Sequence, residues 1–224
     1  MPTLKLLILA LSLFPVLSGT AQAALIAYTG DSVNGGAAPG SLNIGRQFSV
    51  SGNGITVRDL GIFDFSSNGL VSNHTVTLFR ILSGAGAANA AVEAIAGGSV
   101  TVPSGSGAAL ANGFRFASLL SPVYLSLGNY SVIGYGFNTA ADRYGDGGGY
   151  PTAGNVTDIR FDPYQSTSAA SPSYPSGGDV GNHSSASFRY DLGNTVPAPG
   201  VPALLLGGMA VLAWTRRRRS RALS

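Results

Sequence analysis

The chain has 224 residues, enough for one sizeable domain, with 32 glycines, only 10% charged residues and no cysteine. Without thiols there are no disulfides, thiol catalysis, zinc–thiolate sites or iron–sulfur clusters. The net charge of +3 belongs to the ends: between Lys5 and the final arginines, seven arginines face ten acids, so the body offers no basic surface for nucleic acid.

The first segment, "MPTLKLLILALSLFPVLSGTAQAA", has one early lysine, an apolar run over 6–17, and small residues at Ala21 and Ala23. These are the three regions of a secretory signal peptide, with cleavage expected after Ala23. Pro15 and the shortness of the run argue against a permanent membrane anchor. Residues 1–23 are therefore expected to be removed on export.

Residues 24–195 read as one all-β domain. The runs "RQFSV" (46–50), "GITVRDLGIFDF" (54–65), "HTVTLFRIL" (74–82), "GFRFASL" (113–119), "PVYLSLGNYSVIGYGF" (122–137), "VTDIRF" (156–161) and "ASFRYDL" (186–192) are rich in β-branched and aromatic residues. Gly, Pro, Asn and Ser separate them. In 74–82 the alternation puts Val76, Leu78 and Ile81 on one face, with Thr75, Thr77 and Arg80 on the other. The stretch "AANAAVEAIAGG" (87–98) fits a short helix or a strand equally well. Short strands at regular spacing predict a β-sandwich of jelly-roll type.

The segments "LGIFDFSSNGLVSNHTVTLFRI" and "NGFRFASLLSPVYLSLGNYSVIGYG" resemble a β-sandwich module of predicted bacterial surface proteins. The likeness covers residues 44–146, about half of the mature chain. It implies the sandwich fold and carries no activity with it. Downstream, "DRYGDGGGYPTAGNVTD" and "YQSTSAASPSYPSGGDVGNHSSAS" are loops by composition, the places where a rigid sandwich carries binding function.

Candidate chemistry is sparse. The two histidines, His74 and His183, sit in "NHT" and "NHS" and read as surface turns, with no G-x-S-x-G elbow beside them. Asp142 and Asp146, four apart in "DRYGDGGG", can place carboxylates and loop carbonyls around calcium, as can the turns at Asp31 and Asp64. Ordinary Asp–Gly turn chemistry explains the same residues. Glycoside hydrolysis needs two facing acids, yet the only glutamate, Glu93, lies in the alanine-rich stretch, and the remaining acids lie in turns or next to arginine, as in "VRDL", "DIRFD" and "FRYD". Local ion pairing is the simpler reading, and no enzyme is expected. Tyr144, Tyr150, Tyr164 and Tyr174 in the loop-rich part are candidates for stacking on sugar rings.

The tail, 196–224, has three parts. Val196, Pro197, Ala198 and Pro199 precede a charge-free run over 201–214, and Arg216, Arg217, Arg218, Arg219 and Arg221 follow it. A helix over the 14 residues of that run reaches roughly 21 Å, short of the ~30 Å hydrocarbon core. The arginines would halt translocation and stay on the cytoplasmic side. This layout resembles the PEP-CTERM sorting signal of Gram-negative bacteria, whose motif is V-P-E-P; here Ala198 stands in place of the glutamate. The resemblance implies recognition by an exosortase, brief inner-membrane association through the short hydrophobic helix, and release to the cell surface or surrounding polysaccharide. The sequence thus predicts an exported structural or adhesive protein of a biofilm or exopolysaccharide setting, with a calcium-assisted carbohydrate-binding module as the alternative.

Overall fold

The computed structural model describes residues 24–30, 35–36, 41–138, 142–151, 154–166 and 173–193. The signal peptide with Ala21 and Ala23, the turn at Asp31, the sorting motif at 196–199 and the arginines at 216–219 and 221 lie outside them.

The described residues are nearly all β, as expected for 24–195. In order it runs β1 (Leu25–Ile26), β2 (Thr29–Gly30), β3 (Gly35–Gly36), β4 (Leu42–Val50), β5 (Ile55–Phe63), a 3-10 turn (Phe65–Ser67), β6 (His74–Ser83), β7 (Ala91–Val102), β8 (Ala109–Ala111) and β9 (Phe114–Leu125). It continues through β10 (Gly128–Phe137), β11 (Tyr144–Asp146), β12 (Gly148–Gly149), β13 (Val156–Asp158), β14 (Asp162–Ser166), β15 (Gly177–Asp179), β16 (His183–Ser184) and β17 (Ala186–Leu192). The smaller of the two main sheets has the order β1-β17-β5-β9-β8, and the larger has β15-β14-β4-β10-β6-β7 with β13 also paired to β4. Two short sheets, β16-β11-β3 and β12-β2, stand beside them.

The main sheets face each other across one core. Leu42, Ile44, Phe48 and Val50 of β4 and Val76 and Leu78 of β6 meet Val57, Leu60 and Ile62 of β5 and Phe188 and Tyr190 of β17. Alternation drives this, because residues two apart share a face of the sheet. The outer face of the larger sheet has its own small cluster of Phe79, Ile133 and Tyr135, covered in part by Tyr174.

Of the two readings open for 87–98, the strand is the one formed: residues 91–102 make an edge strand because they find β6 as a partner. One expectation is corrected. In β6 the ladder to β10 is regular from Val76 to Ile81, so strict period 2 puts Arg80 on the inner face with Val76 and Leu78, and Ile81 on the outer face with Phe79.

Both edges that meet at one seam of the sandwich are bulged. In β7, Ser99 pairs with Thr77 and Ala94 with Phe79, so Ile95, Ala96, Gly97 and Gly98 together face Leu78. In β9, Val123 pairs with Val57 and Ser118 with Asp59, so Leu119, Leu120, Ser121 and Pro122 face Arg58. Such bulges interrupt the row of free N–H and C=O groups on which a foreign strand would build.

Candidate functional site

Asp142 and Asp146, the acids expected to share a calcium ion, belong to different hydrogen-bonded groups. Asp142 accepts from the backbone N–H of Val71 (2.8 Å) and Ser72 (2.9 Å), from the Ser72 hydroxyl (3.0 Å) and from His74 Nε2 (2.8 Å). Burial pushes the Asp142 carboxyl up, but the bonds from Val71, His74 and Ser72 outweigh it and hold the group below the usual carboxylate value. Asp146 instead faces His183 Nε2 at 3.7 Å. Among the described residues, no three of His, Cys, Asp or Glu are grouped to hold a metal ion.

His74 is a correction too: it is buried, not a surface turn. Its Nδ1 donates to the Tyr135 carbonyl at 2.7 Å, which leaves Nε2 to serve both Asp142 and, at 3.3 Å, the Ser72 hydroxyl. A nucleophilic relay needs the acid on one ring nitrogen and the serine on the other. Here acid and hydroxyl crowd the same nitrogen, so the group fastens the turn before β6 to the chain after β10.

Asp64 is held in the same structural way. It accepts from Arg115 Nε at 2.6 Å and from the Gly69 N–H at 3.0 Å, while Arg115 also donates to the Ser106 and Ala108 carbonyls. One guanidinium thereby fixes the loop after β5 and the loop before β8.

The densest charged group lies inside the sandwich. Arg46 follows Leu42 and Ile44 on the inner face of β4, and it is fully buried. Its Nε lies 3.4 Å from Asp158 and 3.6 Å from Asp162, its Nη2 donates to Asn182 Oδ1 at 2.9 Å, and its guanidinium carbon lies 4.6 and 5.0 Å from the ring centroids of Tyr28 and Tyr150. The second oxygen of Asp162 accepts from the N–H of His183 (2.7 Å) and contacts its Nδ1 (2.8 Å). Gly181 makes room for this contact, since a Cβ there would lie 2.6 Å from both Asp162 Oδ2 and His183 Nδ1. The bond to Asp162 raises the His183 pKa above its ordinary value against the opposing effect of burial. Burial likewise raises Asp158, only partly offset by Arg46. With His183 protonated, two cations balance two buried acids.

The other loop tyrosines are taken up by packing as well. Tyr144 sets its ring edge-on to His183 at 5.3 Å, and Tyr174 packs on Phe79 and accepts from Gln47 at 2.9 Å. Tyr164 remains partly exposed.

The feature that sequence reasoning missed lies at the bulged seam. A cleft of about 390 Å³ opens between the sheets, lined by Arg80, Glu93, Ile95, Tyr124, Ser126 and Tyr130 among others. One cross-strand row supplies its base: Phe48 pairs with Tyr130, Tyr130 with Arg80, and Arg80 with Glu93. The row runs from a fully buried phenylalanine to a charged pair whose side chains are 53% and 55% exposed. The available signal was Arg80 on the same alternation as Val76 and Leu78, a charge where the pattern asks for core. Comparison with protein-family models, with curated proteins and with solved structures finds no match.

Proposed function

We propose that this chain is an exported, non-enzymatic surface or matrix protein, sorted through a PEP-CTERM tail by an exosortase and structural or adhesive in a biofilm or exopolysaccharide setting. The observation that carries the reading is the placement of the two processing signals around the fold. β1 begins at Leu25, two residues after Ala23, and β17 ends at Leu192, four residues before Val196. β1 and β17 are antiparallel partners, with Leu25 opposite Tyr190. The ends of the sandwich therefore lie side by side, and cutting at both signals leaves every described strand in place. Counting β1, β4, β5, β6, β7, β9, β10 and β17 as strands 1 to 8, the two sheets read 1-8-3-6 and 2-7-4-5; we take this order as jelly-roll-like.

The test is the intact mass of the protein in surface and membrane fractions of a Gram-negative host with and without its exosortase. The expected mature chain starts at Ala24 and ends close to Pro199 only when the exosortase is present. Ala198→Glu, which completes the motif, raises the processed fraction. An intact tail retained in the inner membrane of both hosts overturns the sorting reading. Carbohydrate contact is the second reading, favoured by the cleft at the seam.

A further inference from the structure

We propose that the end of the sandwich from which both terminal segments leave rests on a lipid bilayer while the tail is attached, with Leu82, Leu127 and Leu192 as its apolar contacts. This rests on the export and sorting reading above and adds a surface of the folded domain to it.

Strand register places the termini. Leu192, at the end of β17, pairs with Ile55, and Ile55 with Leu125, while Leu25, at the start of β1, pairs with Tyr190. In the larger sheet Gly128 pairs with Val50 and Asn129 with Ile81, so β10 begins where β4 and β6 end. Residues 51–54, 84–90, 126–127 and 193 therefore form one end of the sandwich, and the chain enters and leaves there. The apolar runs 6–17 and 201–214 are separated from Leu25 and Leu192 by the short links 18–24 and 193–200. At up to ~3.6 Å per residue, either link holds this end close to any membrane that takes up its apolar run.

Composition then separates the two ends. No residue of 51–54, 84–90, 126–127, 154–155 or 193 is charged. Three exposed leucines stand among them: Leu82 (57%), Leu127 (62%) and Leu192 (42%). A Cβ on Gly154 would meet both Leu192 and Leu25, so the apolar residues of the two terminal strands come together beside it. The first charged residues met along β5, β17, β6 and β7 from this end are Arg58, Asp191, Arg80 and Glu93, and they pair as Arg58–Asp191 and Arg80–Glu93. At the opposite end, the segment after β10 carries Asp142, Arg143 and Asp146, the last two exposed.

An exposed leucine gains by leaving water, and a frame without charge lets it do so with no ion to desolvate. Tyr124 stands one row back, on the outer face of the smaller sheet, with its hydroxyl on the Asn53 carbonyl. That amphipathic ring suits the headgroup layer. With no cluster of Lys or Arg at this end, the contact is apolar and indifferent to anionic lipid. The 14-residue charge-free run is a weak anchor by itself, and a second apolar contact in the same membrane adds to it.

The chain has no cysteine, so single labels can be placed. The chain 24–224 is reconstituted with vesicles of phosphatidylcholine, with and without phosphatidylglycerol. A polarity-sensitive fluorophore is attached at Leu82→Cys, Leu127→Cys or Leu192→Cys, and at Val71→Cys or Asp146→Cys toward the other end. The first three labels are expected to shift to the blue and to be quenched by nitroxide lipids, equally in both vesicles, while the last two stay in water. Replacing all three leucines by serine lowers vesicle partition of the chain about tenfold or more, and thermal melts separate lost contact from lost folding. Labels that stay in water on vesicles carrying the chain overturn the contact and leave the tail as an anchor. Labels shielded from water yet beyond the reach of the lipid quencher overturn it in favour of a second copy of the chain. A chain that does not float with the vesicles overturns both the contact and the anchoring tail.

Discussion

The two sides of the larger sheet solve the same problem in opposite ways. Each places an arginine on the inner face next to acids: Arg46 beside Asp158 and Asp162 toward β14, and Arg80 beside Glu93 at the β7 edge. At the first, Tyr28, Tyr150 and Asn182 contact the guanidinium, His183 contacts Asp162, and no side chain of the two Arg46 ion pairs is more than 6% exposed. At the second, the opposing sheet stands off and a cleft remains. A charge on the inner face is thus sealed and balanced on one side and left open to solvent on the other.

The largest expected effect tests the sealed side. Arg46→Met leaves two buried acids without their cation and is expected to destabilise the fold by about 3–5 kcal/mol in chemical denaturation. Asp142→Asn comes next, because it disturbs an acceptor that serves Val71, Ser72 and His74 together; its expected cost is about 1–3 kcal/mol.

The pH dependence then sharpens the contrast. His183 faces Asp162, Asp146 and the Tyr144 ring, and its pKa is raised, so its stabilisation is fully present below pH ~6.5 and is lost as pH rises through the higher folded value. The raised Asp158 acts in the same direction at lower pH, since the folded state holds that proton more tightly than the unfolded chain. Asp142 has the opposite sign: its lowered pKa gives stability above the ordinary carboxylate range that disappears as pH falls through the folded value. The melting midpoint should therefore fall between mildly acidic and alkaline pH, and His183→Gln should flatten that slope. A midpoint that climbs over this range would contradict the charge balance drawn for the Arg46 cluster.

Arg80→Met is expected to change stability by only about 0–1 kcal/mol, as an exposed pair does; a loss equal to that of Arg46→Met would erase the comparison. The smallest effect is expected from excess chelator, which should leave the midpoint unchanged, since Asp142 is already engaged by N–H and O–H donors. A clear drop would restore calcium at Asp142 and Asp146.

The strand class was legible because it is written locally. The β-branched and aromatic runs such as 46–50, 74–82 and 186–192 and the breaks at Gly, Pro and Asn need no partner to be read. The arginines beside acids misled for the same reason. "VRDL" and "FRYD" look like local pairs, yet Arg58 bonds Asp191 of β17 and Arg189 reaches Asp59 of β5, each across the strand register. "DIRFD" turns both its acids toward the Arg46 guanidinium, while its own Arg160 meets Asp158 through the backbone N–H at 2.9 Å. His74 passed for a surface turn because its partners, Tyr135 and Asp142, come from the far end of β10 and the loop beyond it.

The sequence by itself determined the strand class and the turns, both of which depend on neighbours a few residues away. Only the tertiary structure decided which charges are buried and which remain open. Burial depends on what the opposite sheet and the covering loops bring, and for Arg46 that includes a partner 136 residues away. Alternation can show that Arg46 and Arg80 both point inward. Whether water follows them depends on how closely the two sheets approach.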